Sequence, residues 1–145
     1  MTTPFQLILA RCGLSHREAA AFLCVRLDTV KSWSAGRNPT PAPVLTELRV
    51  LYGRIERTAA EAQAQIEAIH RVAPAPDVLE FGLAADDTEA QRLGWPCVGA
   101  QAALLGLLAA RLPWPVRIVP RASTIATAAA ADQTDLGATH GAPGP

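Results

Sequence analysis

A group of side chains suited to molecular recognition is concentrated at residues 26–32. Arg26 can donate two hydrogen bonds to one planar partner, Asp28 can only accept them, and Ser32 can do either. Leu27 and Thr29 lie among them and can contact a methyl group. These residue types recognise a surface by hydrogen bonds and apolar contacts.

The sequence offers little for catalysis. It contains no Ser-His-Asp order, no paired carboxylates in an apolar setting, no phosphate-cradling glycine loop and no metal-ligand spacing. Asp86 and Asp87 lie in a polar stretch, which a solvated loop explains. We therefore expect a protein that is not an enzyme and that has no cofactor and no metal site.

Two short helices are predicted before this group. Thr3-Pro4 is a helix-start signal, apolar residues follow at helical spacing as far as Cys12, and Gly13 ends the first helix. Ser15 and Glu18 have the capping-box spacing, which predicts a second helix to about Leu23.

The group itself lies at the start of a third predicted helix, over residues 27–35. Val30 and Trp33 face inward, so the polar residues cluster on the N-terminal, outward side. Gly36 closes the helix, and a proline-rich segment forbids its continuation.

A fourth helix, long and amphipathic, is predicted from about Pro43 to residue 70. Its apolar seam recurs at spacings of three and four: Val44, Leu48, Leu51, Ile55, Ala59, Ala62, Ile66 and Ile69. We expect the first half to pack on the preceding helices. The second half meets either the C-terminal part or a partner chain, unless it is a solvent-exposed helix with an alanine bias.

The segment after the Ala-Pro-Ala-Pro break at 73–76 predicts a small α+β unit. Residues 78–81 and 116–119 are typical of short strands, and 100–112 of an apolar helix that needs burial on most sides. Residues 86–92 fit a loop or one helical turn. From about Ser123 the alanine-, glycine- and proline-rich composition predicts a disordered tail.

Charge and cysteine content agree with a cytoplasmic protein that meets a polyanion. Residues 1–57 carry eight basic against four acidic side chains, and residues 74–145 carry four against seven. A positive N-terminal half suits nucleic acid, although an ordinary mixed surface also explains it. Cys12, Cys24 and Cys97 form no CxxC pair, so we expect reduced thiols. No segment predicts a membrane span or a secretory signal.

Residues 13–39 resemble the helix-turn-helix of the lambda-repressor/Cro-like (XRE-type) regulators. The residues that carry the resemblance are Gly13-Leu14-Ser15, Ala20, Val25, Val30, Trp33 and Gly36-Arg37-Asn38-Pro39. One departure is Cys24, where the family commonly has glycine in the turn. If this position requires positive φ, a cysteine there is strained by roughly 1 kcal/mol.

The resemblance implies that the third helix enters the DNA major groove. The base-reading residues would be Arg26, Leu27, Asp28, Thr29 and Ser32. The residues that contact the DNA backbone would be His16, Arg17, Lys31, Arg37 and Asn38. Asp28 could instead cap the helix, Lys31 could be a plain solvated charge, and His16 an ordinary surface histidine.

The whole layout is similar to a smaller group, the two-domain anti-CRISPR-associated repressors. The supporting segments are residues 28–37, the proline-led long helix, and residues 93–103 around Gly94-Trp95. This resemblance implies an autoregulatory repressor of transcription that binds an inverted repeat in double-stranded DNA as a homodimer, in the nucleoid. RNA is left open as a further partner.

Two other functions are considered. An antitoxin would use the same head for autoregulation and its C-terminal half to bind a toxin protein. An interaction module would have lost DNA binding altogether.

The expected fold is mainly α, with a Cro-like helix-turn-helix bundle, a long linking helix and a small α+β dimerisation domain. The expected boundaries are 1–57 for the DNA-binding domain, 58–76 for the helix extension and linker, 77–121 for the dimerisation domain and 122–145 for the disordered tail.

Overall fold

Six α-helices and a two-stranded sheet make up the part of the chain that the structure, a computed structural model, describes: residues 1–121. The helices are α1 (Pro4–Arg11), α2 (His16–Leu23), α3 (Leu27–Ala35), α4 (Ala42–Val72), α5 (Asp87–Arg92) and α6 (Val98–Arg111). The strands are β1 (Leu79–Leu83) and β2 (Val116–Pro120). The mainly α class with a small α+β C-terminal part is thus confirmed. The expected disordered tail, 122–145, lies outside the described residues.

The starts of α1 and α2 follow the predicted capping signals. The Thr3 side chain accepts a hydrogen bond from the Gln6 amide at 3.2 Å, which begins α1. The Ser15 hydroxyl accepts from the Glu18 amide at 3.1 Å, which begins α2. Residues 86–92, predicted as a loop or a single turn, form the short helix α5, whose cap is the Asp86 carboxylate accepting from the Glu89 amide at 2.8 Å.

One side of the long helix α4 belongs to the hydrophobic core. Leu48, Leu51, Ile55 and Ala59 are buried along one side of it. α1 and α6 both pack against α4, so the C-terminal part covers much of the predicted seam. Beyond Ala59 no residue of α4 is buried, and Ile69 and Val72 are exposed.

The two strands pair in parallel, in the register Leu79 with Val116 through Leu83 with Pro120. The crossover between them carries α5 and α6, as parallel pairing requires. Gln101, buried on α6, ties the helix to the chain at the end of β1: its side-chain oxygen accepts from the Ala84 amide at 2.8 Å, and its nitrogen donates to the Gly82 carbonyl at 3.3 Å.

The N-terminal helices and the C-terminal part share one hydrophobic core. That core runs from Phe5 on α1 to Leu104 on α6 without interruption. A close backbone approach joins Gly13, after α1, to Gly99, in the first turn of α6, where a Cβ on either residue would overlap the other's carbonyl oxygen. Nearby, the Arg54 guanidinium stacks 4.2 Å from the centre of the Trp95 ring.

Glu18 joins the same two regions electrostatically. Burial raises the pKa of Glu18, but hydrogen bonds from the Cys97 thiol and from the hydroxyl and amide of Ser15 outweigh that effect and leave the pKa below its usual value. Burial, and then the hydrogen bond to Glu18, raise the pKa of the Cys97 thiol to about 12. The pair is therefore an ionised carboxylate held by a neutral thiol at the N-terminal end of α6.

Candidate nucleic-acid interface

Helix α3 is fixed to the protein by one face. Val30 is fully buried and Trp33 is 8% exposed. The Trp33 ring meets Phe5 of α1 edge-on, with ring centres 5.7 Å apart. The Thr3 hydroxyl donates to the Ser34 carbonyl at 3.1 Å, so the end of α3 is also tied to the start of α1. These contacts set which side of α3 faces outward.

The turn between α2 and α3 is tight and closed by backbone hydrogen bonds. Cys24 takes the left-handed conformation, with φ 55° and ψ 43°. The amides of Cys24 and Val25 donate to Ala21 and Ala20 at 3.3 and 3.0 Å. Because Cys24 has positive φ, the strain argument made for cysteine at this position applies.

The predicted base-reading residues lie at the N-terminal cap and in the first two turns of α3. Arg26 and Asp28 are exposed, and Leu27, Thr29 and Ser32 are half-buried. The salt bridges within residues 1–121 are Arg117–Glu80 and Arg121–Glu89. Arg26 and Asp28 therefore form no ion pair there.

Asp28 does not cap α3. The residue at the cap position is Arg26, and no side chain makes a capping hydrogen bond there. Asp28 lies in the first turn of α3, where its side chain is exposed.

The predicted backbone-contacting residues lie at the start of α2, on α3 and in the segment after α3. Arg17, Lys31, Arg37 and Asn38 are exposed. His16 is half-buried, and its Nε2 lies 3.1 Å from the Ser34 hydroxyl, so one ring nitrogen is used within the protein. Among the ten predicted residues four side chains are cationic and one is a carboxylate, so this set carries a net positive charge.

One contact in this surface was not predicted from the sequence. The Asn38 side-chain nitrogen donates to the Ser32 hydroxyl oxygen at 2.7 Å. Gly36 is the sequence feature that could have predicted this contact. A left-handed residue after a helix turns the chain back along the last helical turn, and this brings Asn38 beside Ser32.

A second surface feature lies away from α3. An open groove of about 630 Å³ between α4 and α6 is lined by residues that include Arg49, Gly53, Glu56, Arg57 and Arg111. Its lining residues include no nucleophile with an adjacent base.

The described helices include none that is both long and apolar enough to cross a membrane. In the comparisons with known proteins, no family model and no curated protein matches this sequence.

Proposed function

We propose that this protein is a sequence-specific DNA-binding regulator of transcription, which represses its own operon by binding an inverted repeat as a homodimer. The observation that carries the proposal is the two-sided character of α3. Val30 and Trp33 hold one face in the core, while Arg26, Asp28 and Ser32 lie on the open side.

This arrangement suits the DNA major groove. The groove is about 12 Å wide, which admits one α-helix, and each base pair presents a distinct set of donors and acceptors there. Arg26 matches the two acceptors of guanine, and Asp28 matches the amino group of cytosine. Leu27 and Thr29, both half-buried, would contact a thymine methyl.

The flanking cations suit the DNA backbone. Arg17 on α2, Lys31 on α3 and Arg37 after α3 are exposed and form no ion pair within the described residues. Contacts of this kind position a protein on the duplex without selecting sequence.

Dimer formation is supported by surface that the monomer leaves uncovered. Ile69 and Val72 on α4 and Ile118 on β2 are exposed, with Val72 at 92%. Each strand of the two-stranded sheet also has one edge without a strand partner among residues 1–121. A dimer with two-fold symmetry would place its α3 helices in successive major grooves, about 34 Å apart.

Selection of bound duplexes from a random pool tests the proposal. We expect winning sequences with two-fold symmetry. Arg26→Ala should weaken binding to the selected site about 10- to 100-fold, because it removes a bidentate contact to a base. Arg92→Ala, which removes an exposed arginine from α5, is the matched control and should bind like the parent.

A phosphate contact should behave differently from a base contact. Lys31→Ala should weaken binding to all duplexes alike and reduce the slope of log affinity against log salt by about one unit. Failure of the parent to select any duplex at low salt, or equal binding by Arg26→Ala, contradicts the proposal.

An antitoxin is the second candidate, because the same exposed apolar residues of α4 and β2 would serve a partner of a different sequence. Sedimentation of the purified chain distinguishes the two. A mass of twice 15.3 kDa supports the homodimer, and a monomer that dimerises only with a neighbouring gene's product supports the antitoxin.

A further inference from the structure

We propose that two copies of this chain associate through β2, which pairs antiparallel with β2 of the second copy around a two-fold axis at Ile118. The inference rests on the proposed function, which requires a homodimer, and it assigns the surface that forms the dimer. The two-stranded sheets of both copies then join into one continuous sheet, with the two β2 strands at its centre.

The register of the sheet determines which backbone groups of β2 point away from β1. The strands are parallel, with Leu79 opposite Val116, and the Leu79 amide donates to the Pro115 carbonyl at 2.8 Å. In a parallel pair, residues that bond to the neighbouring strand alternate with residues whose N–H and C=O point outward. The outward-pointing residues of β2 are therefore Val116, Ile118 and Pro120.

The outer edge of β1 is partly used within the protein. By the same alternation, the carbonyl of Gly82 and the amide of Ala84 point away from β2. The buried side chain of Gln101 binds both groups: its nitrogen donates to the Gly82 carbonyl at 3.3 Å, and its oxygen accepts from the Ala84 amide at 2.8 Å. A further strand therefore meets an occupied edge at β1.

The outer edge of β2 is open in the monomer. Among residues 1–121 no group accepts a hydrogen bond from the amides of Val116 and Ile118. The extensive contacts of β2 are those with β1, and the Ile118 side chain is 46% exposed. Unpaired N–H and C=O groups along a strand edge form a template for another strand.

A second copy of β2 has the groups that this edge requires. With Ile118 opposite Ile118, each of the two residues donates its N–H to the carbonyl of the other. Each Val116 amide then donates to the Pro120 carbonyl of the other copy. Every outward N–H of β2 thus has an acceptor. Because proline has no N–H, the Val116 carbonyl is the one outward group within the paired segment that gains no bond.

Charge favours this register over its nearest alternative. Pairing around Arg117 would also satisfy the outward amides, but it would place Arg117 directly opposite Arg117, and like charges directly opposite are destabilising. Pairing around Ile118 places Arg117 opposite Val119 instead. On that face Arg117 keeps its ion pair with Glu80 at 3.2 Å. The other face brings together uncharged side chains.

Disulfide cross-linking of the full chain tests the register. The background is Cys24→Ala, which removes the exposed native thiol. In that background, Ile118→Cys places the new thiols on directly opposite residues, whose Cα atoms lie about 5.5 Å apart in a hydrogen-bonded pair. That separation is within the range that a disulfide spans. Oxidised glutathione serves as the oxidant.

Val116→Cys is the matched control, because Val116 lies on the same edge and the same face of β2 as Ile118. In the proposed register the two copies of residue 116 lie on opposite sides of the axis, about 14 Å apart, which is too far for a disulfide. Ile118→Cys should therefore form a covalent dimer at least about 10-fold faster than Val116→Cys.

Loss of the central hydrogen bonds is an independent test. Ile118→Pro removes the outward N–H but no hydrogen bond between β1 and β2, whereas Ile118→Val keeps that N–H. By sedimentation, Ile118→Pro should raise the dissociation constant of the dimer at least about 10-fold, because each copy loses one hydrogen bond. Ile118→Val should dimerise like the parent. Thermal unfolding checks each fold, and the cross-linking result decides if Ile118→Pro does not fold.

Failure of the inference and failure of the proposed function are distinguishable. If the parent is a dimer that selects a symmetric duplex, but Ile118→Cys and Val116→Cys cross-link at equal rates, the inference is overturned and the proposed function stands. A parent that stays monomeric, or that dimerises only with a different protein, also overturns the inference. If that parent selects no duplex, the proposed function fails as well.

Discussion

Cys24 occupies a backbone position that glycine adopts at lower cost. Its φ of 55° lies in the left-handed region, where the Cβ of an L-residue crowds the following carbonyl. The side chain is exposed, and its thiol makes only a long contact, 3.8 Å, to the Ala21 carbonyl. Cys24 therefore has a strained backbone conformation, and its side chain makes few contacts that would offset the strain.

Cys24→Gly should stabilise the protein. Removing the Cβ relieves about 1 to 2 kcal/mol of strain. Glycine also raises the entropy of the unfolded chain, which favours unfolding and offsets about half of that gain. We expect a free energy of unfolding about 0.5 to 1 kcal/mol higher, measured by urea denaturation. Cys24→Ala keeps the Cβ and is the control. An equal gain for both variants would show that the thiol, and not backbone strain, is responsible.

At the scale of elements, the turn after α1 and the first turn of α6 meet backbone to backbone. Gly13, which has φ +71°, and Gly99 each lack the Cβ that would overlap the other's carbonyl oxygen. The Glu18 carboxylate lies beside the same contact, since a Cβ on Gly99 would be 3.0 Å from its oxygen. This approach fixes how α6 lies against the N-terminal helices.

Gly99→Ala should therefore be strongly destabilising. Overpacking against backbone costs roughly 1 to 3 kcal/mol, although alanine favours the helix itself. Gly106→Ala on the same helix is the matched control: a Cβ there meets nothing within 4 Å, and the change should stabilise the protein by up to about 1 kcal/mol. Urea denaturation of both variants checks the pair. Stabilisation of similar size in both would contradict the close approach.

The sequence predicts where the helices begin and end better than it predicts which residues contact each other. Caps, glycine stops and apolar spacing are local, so the predicted bounds of α1, α2 and α3 agree closely with the structure. The contact of Gly13 with Gly99 joins residues far apart in the chain, and no local pattern encodes it. The Asn38–Ser32 hydrogen bond, in contrast, depends on a helix end that Gly36 had already predicted.

At the scale of the whole molecule, the N-terminal helices and the C-terminal part share one core. A change in the ionisation of Glu18 therefore affects the stability of both. Cys97, next to α6, and Ser15, at the start of α2, both favour the ionised form of this carboxylate. The pKa of Glu18 is lowered in the folded state, so its contribution to stability is present above its ordinary pKa of 4.5 and is lost as the pH falls through the folded value.

Glu18→Gln should reduce this acid sensitivity. Glutamine can still accept hydrogen bonds in a capping box but does not titrate. Urea midpoints measured from pH 7 down to pH 3 should fall less steeply for the variant than for the parent. Other carboxylates keep some slope in both proteins, including Glu89, whose pKa is lowered by the Ala85 amide and by Arg121. Parallel curves for parent and variant would contradict the role given to Glu18.

The parallel pairing of β1 with β2 sets an order of events during synthesis. β1 gains its partner only when residues 116–120 have been made, whereas the contacts among α1, α2 and α3 use residues 3–35 alone. Pairing across a long separation is slow, because loop closure must precede any gain from it. A nascent chain that stops before residue 116 therefore carries an unpaired strand, and truncation at that point should favour aggregation.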